Sequence, residues 1–129
     1  MTRQFYSYST GFVVLGAVAG VATPFSININ NAYNFEVAYI TGSVLQAGVL
    51  VVNWPGLVQI NDSGAAHTWF DQVGGVPFMA VVGDGRQPYP LSYPRLLAGN
   101  STQIVTFTQL AAVATSACLV LNGYLQIPT

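Results

Sequence analysis

The residues that could carry chemistry are few and scattered. His67 is the only imidazole in the 129-residue chain, and its neighbours Ala65, Ala66, Thr68 and Trp69 offer no second metal ligand. A metal site built on one histidine, with no cysteine cluster, needs carboxylates. The chain holds four, leaving at most a lone weak calcium site at Asp62 or Asp84. A nucleophilic triad fares no better, because the histidine is followed by Trp69, Phe70 and Asp71 and no serine sits in a nucleophile elbow. Glycoside hydrolysis needs two carboxylates facing a sugar, whereas Glu36 and the aspartates fall in predicted strands and turns. Gly74, Gly75, Gly83 and Gly85 are turn glycines without a phosphate-loop context. Cys118 stands alone in an apolar run, which makes it a buried structural thiol and leaves the redox compartment open. We therefore expect no catalytic residue, no metal and no cofactor, and a protein that is not an enzyme.

What remains is recognition by aromatic side chains. Trp54, Trp69, Tyr89 and Tyr93 fall in predicted loops, with Arg86 and Arg95 flanking the last two. Aromatic residues in such loops either stack on sugar rings or anchor protein interfaces, where tryptophan and tyrosine are enriched. Pro88, Pro90 and Pro94 make the stretch around Tyr89 and Tyr93 extended and stiff, so it loses little entropy on docking. We favour protein contact, with a carbohydrate-binding sandwich for attachment as the alternative. Phe5, Tyr6 and Tyr8 at the N-terminus are expected to dock on a neighbouring subunit or to belong to a frayed end.

Composition supports assembly. Hydrophobic residues make up 52% of the chain and charged residues 5%, with no lysine, against ~25% charge in a typical domain. Soluble monomers usually keep apart by charge; so neutral a surface implies partners that cover it. A net charge of −1 and three dispersed arginines argue against nucleic acid, which needs a basic patch. The length suits one domain with a core of its own.

The elements that must position these residues read as strands. Gln103 to Thr108 alternates, with Val105 and Phe107 on one face. Ala117 to Leu121 is a continuous apolar run, broken or bulged at Gly123 before Tyr124 to Ile127. These two segments should form a hairpin or a cross-sheet pair. Phe25, Ile27 and Ile29 point inward from another strand; Phe35, Val37 and Tyr39 share a face of the next. Val44 to Asn53, Leu57 to Ile60 and Val76 to Val82 complete the set, with turns at Asn30–Asn31, Trp54–Gly56 and Asn61–Gly64. About eight short strands, with no helical period, suit a sandwich, a jelly roll or a small barrel. Met1 to Ala22 has the outline of a short secretory signal. Gly11, Gly16 and Gly20 make a poor apolar helix, however, and the run falls short of the ~20 residues that cross a bilayer. Residues 1–20 are thus expected to be an apolar arm or first strand, and 21–129 the β domain, with no membrane partner.

One further pattern is present. Val81 and Val82 precede Gly83, Asp84, Gly85 and Arg86. Pro88 to Leu91 with Pro94, Leu97 to Ser101, the strand Gln103 to Thr108, Leu110 to Thr115, and Cys118 to Gly123 follow. This order, with Phe35 to Gly42 ahead of it, resembles the small jelly-roll decoration and cement proteins of tailed-bacteriophage virions, over about two-thirds of the chain. The resemblance contains no catalytic motif. It implies a jelly-roll-like antiparallel β-sandwich located in a virion, on the capsid or less often at the collar or tail. Its partners would be the major capsid protein, other virion proteins and further copies of itself as a dimer or trimer. The apolar N-terminal stretch and the scarcity of charge depart from the pattern.

Overall fold

The computed structural model describes residues 2–29, 32–51, 54–62, 67–69, 75–83 and 90–128, with the backbone alone for 67–68 and 90–94. The strands are β1 (Thr2–Ser9), β2 (Val13–Gly16), β3 (Ala22–Asn28), β4 (Asn34–Gln46), β5 (Val49–Val51), β6 (Leu57–Asp62), β7 (His67–Thr68), β8 (Val76–Pro77), β9 (Pro90–Leu97), β10 (Thr102–Thr108) and β11 (Thr115–Ile127). One five-residue helix, α1 (Phe78–Val82), lies between β8 and β9.

Two antiparallel sheets result. In the first, β11 lies between β1 and β4, and β9 borders β4; in the second the order is β3-β10-β6-β7. The pairs β1·β11, β3·β10, β4·β9 and β6·β7 are nested, each inside the one before. A chain doubled into one long hairpin and then rolled produces this nesting, which is the arrangement of a jelly roll. Three short strands extend the frame: β2 runs along β11, while β5 and β8 lie beside β4 and β6.

The inner faces follow from two-residue periodicity. On β10 the buried positions are Gln103, Val105 and Phe107, and on β11 Ala117, Leu119 and Leu121. Fully burying each large apolar side chain contributes about 1.5–3 kcal/mol, so a slip of one residue in either strand is strongly opposed. Segments β10 and β11 belong to different sheets, so of the two expected arrangements the cross-sheet pair is the one found. Strand β4 changes phase midway. Asn122 faces Tyr39 and Gly123 faces Val37, leaving Ala38 as an extra residue. The buried set accordingly shifts from Phe35 and Val37 to Ile40 and Val44, as a β-bulge requires. A Cβ at Gly123 would collide with the Glu36 backbone carbonyl. The glycine expected to break or bulge the last strand thus accommodates a bulge located on its partner.

Several local expectations are corrected. Of the arm or first strand expected over residues 1–20, residues 2–9 give a strand: β1 pairs with β11 from Thr2↔Ile127 to Ser9↔Val120. Tyr8 packs its ring on Phe35 of its own chain, with centroids 4.8 Å apart. Phe25 faces inward opposite buried Val105 but remains 39% exposed, because β3 is an edge strand. Val44 to Asn53 is not one strand. Ala47 and Gly48 both take positive φ (51° and 79°) and turn the chain back as a tight hairpin into β5. The segment Val76 to Val82 is helical beyond Pro77, since a short apolar run does not by itself distinguish strand from buried helix. Phe78 and Val82, one turn apart, are the buried residues of α1. A Cβ on Gly42 would sit 2.5 Å from the Phe78 ring, so glycine there lets the helix lie close against β4.

Candidate interaction surface

The aromatic candidates separate once placed. Trp54 is 2% exposed. Its ring meets Phe78 edge-on at 5.3 Å, and α1 holds it in the core, so it is neither a sugar platform nor an interface anchor. Trp69 is half-buried and fixed on three sides. Its backbone N–H donates to the Ile60 carbonyl (2.8 Å) and its indole N–H to buried Gln103 Oε1 (3.0 Å). The Arg95 guanidinium lies 4.6 Å from its ring centroid. This stack ties β9 of one sheet to the segment after β7 of the other, and occupies the ring a sugar would need. Arg86 and Tyr89 lie outside the described residues. Tyr93 falls on β9, which makes Pro90–Leu97 a sheet strand rather than the expected loop. Phe5 (53% exposed) and Tyr6 remain open to solvent on β1.

The strongest surface feature comes from side chains that sequence reasoning did not single out. The loops divide between the two ends of the sandwich. At one end lie the chain ends of β1 and β11, the start of β4 and the exits of β6 and β9. All four charged residues among those described are found toward this end. Arg3 Nη2 contacts Glu36 Oε1 at 2.8 Å and its guanidinium covers the Tyr124 ring at 4.5 Å. Glu36 Oε2 also accepts from Gln126 Nε2 (3.2 Å). Arg95 lies opposite Val37, and Asp62 opposite Gln103 and His67.

Among the described residues, three connections meet at the opposite end: 17–21 between β2 and β3, 47–48 between β4 and β5, and 109–114 between β10 and β11. None contains a charged residue. They are joined in a row. Gly20 N–H donates to the Gln109 carbonyl (2.7 Å), and the buried Gln109 amide donates to the carbonyls of Gly16 (2.9 Å) and Val18 (3.3 Å). On the other side Ala47 N–H donates to the Ala114 carbonyl (2.9 Å). On this hydrogen-bonded platform Val18 (63%), Val21, Val49 (66%), Leu50, Leu110 (50%) and Val113 are exposed. Hydrogen bonds tie the three connections together while apolar side chains point to water, a combination suited to burying apolar area against another protein. The available signal was the charge-free stretches 10–35, 37–61 and 96–129; which loops would share an end was a matter of topology.

A shallow apolar pocket of about 90 Å³ borders this end, between β4, β5 and α1, lined by Gly42, Leu50, Trp54, Phe78, Met79 and Val82. No cluster of three His, Cys, Asp or Glu residues occurs among the described residues, and no described helix is long and apolar enough to cross a membrane. Compared with known protein families, functionally characterised proteins and solved structures, the chain matches none.

Proposed function

We propose that this chain is a structural virion protein that decorates or cements a bacteriophage capsid, docking through the end where none of the described residues is charged. The observation that carries this reading is the segregation of surface chemistry between the two ends of the sandwich. Fold alone would not support it, since jelly rolls serve many purposes. An end that exposes six apolar side chains on a hydrogen-bonded platform is costly in water unless a partner covers it. The absent charge also removes the usual device against association. Docked across a boundary between capsid subunits, the protein binds the assembled lattice better than free subunits. It then stabilises the shell by mass action.

The carbohydrate reading loses both tryptophans, one to the core and one to its arginine stack. A collar or tail position uses the same surface and differs in copy number. Quantitative mass spectrometry of purified particles is the deciding measurement. Copies in fixed ratio to the major capsid protein support decoration, a number matching a single ring moves the protein to the neck or tail, and absence from particles overturns the proposal.

A further inference from the structure

The edges of the two sheets are protected unequally. Edge strands expose backbone donors and acceptors, and proteins blunt them by brevity, proline, lysine or bulges. Every other described edge shows one of these devices. Strand β3 carries Pro24, β9 carries Pro90 and Pro94, and β8 ends in Pro77. Strands β5 and β7 are three and two residues long; β2 has four and meets a register shift opposite Thr115 and Ser116. Strand β1 has none of them. It runs eight residues, Thr2–Ser9, in unbroken register with β11 and pairs with no other described strand. It contains neither proline, glycine nor lysine. Its one charge, Arg3, is turned back onto Glu36 and Tyr124 within the chain.

We propose that β1 is a dimerisation edge, pairing antiparallel with β1 of a second copy about a twofold axis perpendicular to the sheet. Such an axis keeps the outer faces of both copies on one side, so each residue meets a partner of its own parity. Centred on Phe5, the ladder sets the two Phe5 rings against each other and Arg3 opposite Ser7. The two arginines then stand at opposite ends, and no like charges face one another. In that register Thr2 to Tyr8 pair, and seven residues at ~3.4 Å each give a ladder about 24 Å long. Phe5 (53% exposed) and Tyr6 (43%) of each copy add the exposed part of their aromatic area to the backbone ladder. The low net charge opposes little of this. The proposal does not depend on what covers the apolar end, which lies away from β1.

The test is sedimentation equilibrium of the full chain, wild type and with Gln4→Lys and Phe5→Lys together. The wild type should sediment at twice 13.7 kDa. The variant, with lysine on both faces of the edge, should dimerise at least about tenfold more weakly while retaining the wild-type circular dichroism spectrum. Hydrogen exchange on the wild type gives a readout without substitution: amides of residues 2–7 should gain protection as protein concentration rises. A wild-type monomer overturns the proposal. So does a dimer whose β1 amides exchange independently of concentration, or one lost on Val18→Asp with Leu110→Asp but kept in the lysine variant.

Discussion

The two ends of this sandwich solve opposite problems with the same kind of strand. At the end where β1, β4 and β11 meet, the charged and polar side chains of Arg3, Glu36 and Gln126 pair with one another and with the Tyr124 ring. At the other end Gln109 and the links through Gly20 and Ala47 tie the loop backbones together, while valine and leucine side chains are left in water. The first arrangement uses polar groups to finish a surface. The second uses a buried amide to hold an unfinished one in shape. Interaction surfaces are therefore better sought where polar groups are spent on positioning backbone than where charges are most visible.

The separation of the ends depends on the bulge at Ala38, which sets the phase of β4 on either side. Gly123→Ala places a methyl against the Glu36 carbonyl and should cost at least about 3 kcal/mol, with a reduced urea midpoint and loss of both surfaces. A smaller effect on stability, but a large one on binding, is expected from Val18→Asp with Leu110→Asp. Association with purified heads should fall about 100-fold, near 2.7 kcal/mol, while the melting temperature stays within about 2 °C of wild type. Unchanged head binding in this variant would remove the distinction between the ends. The smallest effect belongs to the charged end. Glu36→Gln releases an ion pair whose arginine is half exposed, so stability should change by less than about 1 kcal/mol and head binding should not change. A larger shift in binding would place the partner at that end instead.

Much of the frame was legible in the sequence because alternation reports burial directly. The alternation of Val105 and Phe107 specified a strand and its inward face; the run from Ala117 to Leu121 specified a strand without its face, and Cys118, expected to be buried, is only half-buried between buried Ala117 and Leu119. Gly123 stood out as a glycine in the last strand, but β11 runs unbroken through it and the bulge lies on β4. The helix at Phe78–Val82 was not legible, because five apolar residues after a proline fit either element until Gly42 on β4 leaves room for the Phe78 ring. The candidate aromatics failed for a related reason. Trp54 and Trp69 look alike as loop tryptophans beside turn residues, and only packing distinguishes a core ring from one held under Arg95. Val18, Val49 and Leu110 carried no individual signal at all. Each is an ordinary apolar residue, and its meaning lies in its neighbours.

By itself, the sequence determined the all-β class, the inward face of β10 and the scarcity of charge. These are local or additive properties, read from period two and from composition. The tertiary structure alone decided that residues 17–21, 47–48 and 109–114 meet at one end, that the described charges collect toward the other, and that, among the described strands, β1 is the edge without a protective device. Those facts follow from the nesting of strand pairs up to 125 positions apart, Thr2 against Ile127. No local pattern encodes a partner at that distance.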